Sequence, residues 1–473
     1  MAKVTAAAVA VVLFGAFSAF SSLQASKPPS LQASSAAVPT FTKDVAPILY
    51  ANCTSCHRAG EIAPMSLMTY KEARPWARSI AAKVADGTMP PWHADPAHGS
   101  FANERRLTDA QKSTIDAWVK GGAPEGNPAD LPAAPQYPSG WNIGEPDVVL
   151  SMQEDYPIPA SGSIDYQYMV VPANFGEDRW IQAWELKPGN PSVVHHVIVY
   201  TMAPQAEQEA AAKARAGALL GAAFGGGPRP TPLFSFETDT RIPAGQTGGP
   251  PLPPDQQKPK GPNDRPRPGV LSPSIGGYVP GNSVRRFPEG TAMLLPKGHS
   301  LVFQMHYTTT GEATTDRSRF GLKFAPAPPR IALRSTPLIN GGLHIPPGAA
   351  NHRVDASMTV NRDILLFSMV PHTHVRGKRW LYEVVYPDGK RETILSVPNY
   401  DFDWQHEYVF REPLRIPAGS KFQASAWYDN SPANKSNPDP TKDVWWGDQT
   451  WEEMMFTSLT FHVVTAPAAT PRQ

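Results

Sequence analysis

Ile364-Leu-Leu-Phe-Ser-Met-Val370-Pro-His372-Thr-His374-Val-Arg-Gly377 is the stretch on which the fold turns. Its apolar opening reads as a buried strand running into two histidines. Residues two apart on a strand share a face, so His372 and His374 can converge on one metal ion. Further stretches with strand character lie on both sides: Ser192–Tyr200, Ser300–Thr309, Trp380–Tyr386, Lys421–Tyr428 and Met454–Val464. Pro387-Asp-Gly-Lys390 supplies a hairpin turn after one of them. The chain of 473 residues holds 53 prolines, roughly twice the usual ~5%, which disfavours a long helical bundle. Short strands between proline- and glycine-rich loops point instead to β-sandwiches.

The amino-terminal part has a different texture. Lys3 precedes the apolar run Ala6–Phe20, which resembles a secretory leader and is shorter than the ~20 residues that span a bilayer. Cleavage after Ala25, Ala36 or Ala37 is compatible with the small residues there. No second long apolar run follows, so the mature chain is expected to lack a transmembrane segment. It is expected to be periplasmic or secreted, or membrane-tethered if the leader is retained. A leader at 1–25 and a flexible tether at 26–40 give way to a helical region at 41–125. Within it Thr108-Asp-Ala-Gln111 forms a capping-box pattern ahead of Ile115, Trp118 and Val119. A second helix is expected over Tyr70–Val84, and a proline-rich linker over 126–144.

Cys53-Thr-Ser-Cys56-His57 is a C-x-x-C-H motif, the pattern of covalent c-type haem attachment. Each thiol adds to one vinyl group of the porphyrin, and the adjacent histidine reaches the iron. Met89, in Gly87-Thr-Met-Pro-Pro-Trp92, is the expected sixth ligand, with His93 and His98 as rivals. With these motifs, residues 41–125 resemble a class I cytochrome c. The chain's two cysteines are both used here, which excludes a disulfide framework.

Of the 13 histidines, others sit in suggestive places. His195 and His196 interrupt the apolar strand Val193–Val199; neighbours on a strand face opposite sides, so the pair serves one metal only if the strand is bulged. His306 lies on the same strand face as Gln304. Glu453-Met454-Met455 offers a thioether that, beside two imidazoles, selects copper and Cu(I) in particular. His406 is a residue of cleft, core or surface, and His299, His344, His352 and His462 are read as structural.

The ordered set HH, Q-x-H-Y, H-T-H-x-x-G-K and E-E-M resembles the copper type II ascorbate-dependent monooxygenases, the family of peptidylglycine hydroxylating monooxygenase and dopamine β-monooxygenase. The resemblance spans roughly residues 145–465. It implies one copper on His195, His196 and His306, in a first β-sandwich at 145–328. A second, catalytic copper is implied on His372, His374 and Met454 (Met455 being the alternative), in a second sandwich at 329–467, the two coppers facing each other across an interdomain cleft. The family's peptide-recognition positions fall here on Val370, Phe456 and Ser458, and its disulfides have no cysteines to form them. An insertion at 204–269 is also unlike the family; its alanine-rich first part is expected to be helical, and the Pro/Gly-rich Gly225–Gly269 a mobile excursion.

The expected whole is a multidomain chain: a small all-α cytochrome c domain followed by two mainly-β, jelly-roll-like sandwiches. It would hold one haem c and two coppers, hydroxylating a C–H bond of a small-molecule or peptide substrate with O2. Electrons would come from a periplasmic donor or an ascorbate-like reductant and pass through the haem. The alternative is a non-catalytic electron-transfer or sensor protein, with zinc hydrolysis a lesser rival. A net charge of +1 leaves no basic surplus for nucleic acid.

Overall fold

Strands are the main regular structure among the described residues, and their pairing builds three principal sheets. The computed structural model describes residues 37–61, 63–223, 231–238, 265, 268, 271, 274–279 and 281–464. The leader and much of the tether and insertion lie outside the described residues.

A nine-stranded sheet takes strands from both halves of the chain, in the order Val148–Ser151, Arg319–Phe324, Arg179–Lys187, Thr291–Leu295, Ile331–Ile339, Phe456–Val463, Ile364–His372 and Tyr408–Ile416, with Val284–Arg286 paired to Arg179–Lys187. It is continuous across the change of halves because Ile331–Leu333 pairs in parallel with Thr291–Met293. A four-stranded sheet (Gln167–Val171, Ser300–Tyr307, Val194–Met202, Ser274–Tyr278) faces the first half. Its inward side chains Val197, Val199, Phe303 and Met305 share a core with Ile181, Leu186, Phe320 and Leu322. A five-stranded sheet (Arg391–Val397, Gly377–Val385, Lys421–Tyr428, His352–Val360, Phe234–Phe236) covers the second half, where Trp380, Tyr382 and Phe422 meet Leu366, Leu459 and Phe461. Alternating burial, as in Phe456–Val463, is the mark of such one-sided packing. The turn after Tyr386 closes as the sequence indicates, with Gly389 at φ +85.

The first part of the described chain is helical: α1 (Ala46–Asn52), α2 (Tyr70–Ala73), α3 (Ala77–Ala85) and α4 (Asp109–Lys120). The capping box forms as read, Thr108 Oγ1 accepting from Gln111 N and Gln111 Oε1 from Thr108 N. The helix expected over Tyr70–Val84 is interrupted by a tighter turn at Arg74–Trp76, where Pro75 lacks the N–H that an unbroken helix needs. Phe41, Leu49, Ile80, Ile115 and Trp118 make a separate helical core. The stretch Trp92–Phe101 does not join it. Trp92, Ala94 and Phe101 are buried in the core of the second β half, and Ala102 N donates to Val409 O across a bridge between Phe101 and Phe410.

The insertion is less of an excursion than its composition suggests. Its helix α5 (Gln205–Ala223) follows the strand Val194–Met202, and Phe234–Phe236 then returns as an edge strand on His352–Val360. Phe234 reaches the second core, where its ring meets Phe461 edge-on. Among the described residues, no helix is long and apolar enough to cross a membrane.

Candidate metal centres

The bulge that His195 and His196 require is present. His306 pairs with His196 and Tyr307 with Val194, so the register slips past His195 and the strand bends there. Both imidazoles then turn to the same side and meet His306 from the neighbouring strand. Ligand atoms of the three lie within 4.8 Å of one another. His196 Nδ1 is 3.1 Å from His195 Nδ1 and 3.3 Å from His306 Nδ1. On the far side of the rings, His195 Nε2 faces Asp403 Oδ1 at 3.4 Å and His306 Nε2 faces Thr450 Oγ1 at 3.0 Å. Those partners favour protonated Nε2 atoms, which aims Nδ1 lone pairs at one point. Converging lone pairs repel unless a cation sits between them, so the donor set fits a metal ion.

The second set is built at the end of the strand Ile364–His372. His372 Nδ1–H donates to Gln405 Oε1 at 2.6 Å, and His374 Nδ1–H donates to the Glu452 carbonyl at 3.1 Å. Each bond leaves Nε2 as the free donor, and His374 Nε2 is buried with no hydrogen-bond partner. Thus one set presents Nδ1 atoms and the other Nε2 atoms. The backbone around His374 is clamped by Glu453, whose carboxylate accepts from His374 N and Arg376 N, each at 2.7 Å. Met454 is buried, its carbonyl accepts from Tyr428 Oη at 2.8 Å, and it lines a cavity of about 150 Å3 together with His372. Met455 is fully enclosed and is absent from that lining. Two imidazoles and a thioether fit copper better than zinc or magnesium.

The resemblance implies a cleft between the sets, but here their rings are in contact range. His196 and His372 ring centroids stand 6.0 Å apart. Tyr166 touches His196, His306 and His374, and the Phe402 ring stacks on His195 at 5.0 Å while also reaching His374. Neither aromatic carries a sequence pattern that marks it, because their loops have no period. Gln405 and Asp403 belong to the same segment as His406, the one residue there that its type makes conspicuous. His406 itself is buried against Trp92, His93 and Trp404.

Burial pushes the imidazoles toward neutrality. His372 is pushed down to about 4 and His406 to about 3, and His196, His306 and His374 fall well below their usual range, in each case chiefly by desolvation. Neutral imidazole is the form that binds a metal. Burial acts on Glu452 and Glu453 in the opposite sense, raising both carboxyls to about 7. A buried histidine with a lowered value favours folding above its unfolded value near 6.5 and loses that contribution as pH falls. The raised glutamates work the other way, losing theirs as pH rises, but the histidines outnumber them. The metal-free protein is therefore expected to melt at progressively lower temperature as pH drops from 6.5 towards 4. Thermal melts with a chelator across that range check this, and a flat or rising profile contradicts it.

The haem motif follows α1. His57 N and Cys56 N donate to the Cys53 carbonyl at 2.9 and 3.1 Å, a tight turn that leaves both cysteines free and half-buried. His57 Nδ1 lies 3.3 Å from the Met65 carbonyl, which leaves Nε2 for an iron. Two free thiols and an oriented imidazole fit a covalent haem. Met89 stands half-buried on the loop after α3, its N–H donated to the Lys83 carbonyl. His93 is turned toward His406, and His98 N bonds within its own turn to Asp95 O.

Of the remaining histidines, His344 pairs with Asp443 at 2.6 Å and stacks on Trp445, and His462 Nδ1 bonds the Ala332 carbonyl. No protein-family model and no curated protein matches the chain. Among solved structures, an allantoicase is 10% identical over 58% of this chain and 80% of its own, with a TM-score of 0.16. Allantoicase from Saccharomyces cerevisiae is 8% identical with the same coverages and a TM-score of 0.15. Infectious bursal virus-derived T=1 particles give 8% identity over 68% of this chain and 79% of theirs, at 0.16. Likenesses this slight carry no weight for fold or function.

Proposed function

We propose that this chain is an exported copper-dependent monooxygenase carrying one covalent haem c, which hydroxylates a C–H bond with O2. The observation that carries this reading is the donor arrangement: three Nδ1 atoms facing one another in one set, and two free Nε2 atoms with a nearby thioether in the other. Bound copper would supply O2 activation and bound haem the two electrons per turnover, with one oxygen atom entering substrate and the other leaving as water.

The chain's own residues have assignable parts. His195, His196 and His306 would hold one copper, and His372, His374 and Met454 the other. Cys53, Cys56 and His57 would hold the haem, with Met89 as its sixth ligand. Asp403 and Thr450 keep protons on the outer nitrogens of the first set; Gln405 and the Glu452 carbonyl do so for the second. Tyr166 and Phe402 fill the space between the sets and exclude water, which strengthens every charge interaction there.

The 150 Å3 cavity beside His372 and Met454 is walled by Tyr166, Tyr200, Trp446 and Phe456. A space of this size holds a group of about the bulk of benzene. At its polar edge Gln304 Nε2 donates to Tyr168 Oη at 2.6 Å, and Tyr168 Oη donates to Asp448 at 3.2 Å. The group bearing the reactive C–H bond is therefore small and apolar, with any polar substituent directed to Tyr168 and Asp448.

Metal analysis and an oxygen-uptake screen test the proposal. The purified full-length protein is expected to hold one haem and two coppers and to consume O2 only with compounds of this type. Copper-loaded, haem-containing protein with no substrate-dependent uptake would favour the electron-transfer or sensor alternative, and zinc in place of copper would favour hydrolysis.

A further inference from the structure

Two cavities share a wall between the haem motif and the histidines. One, of about 370 Å3, is lined by Cys56, Arg105, Tyr278, Gly281 and Asn282; the other, of about 130 Å3, by Tyr278, Asn282, Gln405, His196 and His372. Tyr278 and Asn282 belong to both, so the partition is one side chain thick. From the segment Asp401–Glu407, Gln405 and Glu407 line the smaller cavity. Gln405 accepts from His372 Nδ1 at 2.6 Å. Trp404, its neighbour, reaches Gly281, which also lies against Cys56. A Cβ added to Gly281 would stand 3.3 Å from Cys56 Sγ, 3.4 Å from Arg105 Nη1 and 3.7 Å from Trp404 Cζ3. Gly281 also has φ +75, so a side chain is unfavourable there on two counts. Arg105 Nη2 donates to the Gly281 carbonyl at 2.9 Å, and Asn103 exchanges hydrogen bonds with Glu407 O and Val409 N, which fixes the helical part against this segment.

We propose that Trp404 and Gln405 form the crossing between the two sites, and that an electron from the haem motif arrives at the His372–His374–Met454 set rather than at the three-histidine set. This rests on the reading of both sites given above. The preference follows from connectivity. His372 is hydrogen-bonded directly to the wall through Gln405. His196 has no hydrogen-bonded link of this kind: its Nδ1 faces His195 and His306, and its Nε2 has no partner. The three-histidine set meets the same segment by the Phe402 ring, stacked on His195 at 5.0 Å, and by a hydrogen bond of His195 to Asp403, at 3.4 Å and on a carboxylate that is mostly exposed. With both groups bound, one electron would pass from ferrous haem to a cupric ion, with no bond made or broken and no proton moved.

Flash reduction of the haem in the oxidised, copper-loaded, full-length protein under anaerobic conditions tests this. Haem absorbance gives the rate of reoxidation, and freeze-quenched Cu(II) resonance identifies the copper that is reduced. Trp404→Leu is expected to slow reoxidation at least roughly tenfold, about 1.4 kcal/mol of barrier, with both coppers still bound; Trp404→Phe is expected to stay near the parent rate. His374→Ala is expected to remove the fast phase and His306→Ala to keep it. If Trp404→Leu loses its metals, Gln405→Leu decides the same question. An unchanged rate in the metal-loaded variant, or a fast phase that survives His374→Ala and is lost in His306→Ala, overturns the crossing and leaves the haem relay standing. A parent protein whose haem stays reduced overturns both.

Discussion

Met454→Leu is expected to lower substrate-dependent oxygen uptake by on the order of 10³-fold or more, about 4 kcal/mol of transition-state stabilisation. Copper on His195, His196 and His306 should be retained. Leucine matches methionine in bulk, and such swaps usually cost less than ~1.5 kcal/mol in a core. The fold should therefore survive, which separates loss of a ligand from loss of structure. Met454 stands in the lining of the cavity that also exposes His372, and its backbone is held by Tyr428 Oη. The same substitution at Met455, which is enclosed in the second core, is expected to leave uptake largely intact. Copper content, Cu(II) resonance and oxygen uptake on one preparation check the prediction. Retained uptake in Met454→Leu would remove this thioether from the site.

Glu453→Leu is expected to cost stability rather than chemistry alone. The carboxylate is fully buried and accepts from two backbone N–H groups, of His374 and Arg376. The Arg376 side chain is itself buried, bonding Asn430 Oδ1 and the Trp451 carbonyl. Leucine would strand two buried backbone donors, a loss of about 1–3 kcal/mol each, and remove a charge near the Arg376 guanidinium. Loosening the His374 backbone should also weaken copper binding at that set by about 10–100-fold, as for other outer-shell partners. Glu453→Gln, which keeps one acceptor but turns an amide N–H toward a donor, should fall between. Urea unfolding and copper titration of the three proteins give the comparison. Equal unfolding midpoints would show that the clamp contributes nothing.

Both predictions concern residues that differ in how visible they are without a structure. Met454 stands out because a thioether beside histidines is unusual chemistry, and Glu453 only because it precedes that methionine. Neither the clamp on His374 nor the enclosure of Met455 is written in their spacing. Likewise the bulge at His195 is a condition that the sequence imposes, since adjacent strand residues otherwise face apart, but only pairing with Ser300–Tyr307 meets it. The strand Ile364–His372 and the capping box at Thr108 were legible because each follows a local backbone rule. The break at Arg74–Trp76 follows such a rule too, through Pro75.

Fixed spacing along the chain sets the Cys53–His57 motif, the shared face of His372 and His374, the strand-forming stretches and the hairpin at Pro387. These depend on dihedral angles and periods that a few consecutive residues control. The tertiary structure alone decided that the two histidine sets touch, that Tyr166 and Phe402 fill the space between them, and that Trp92–Phe101 packs into the second β half rather than the helical core. It also brings Gln405 to His372, and Trp404 to Gly281 beside Cys56. Those contacts join residues far apart in the chain through loops without a period. Their meeting is fixed by how the sheets pack and by which apolar surfaces are buried together, and no local rule encodes it.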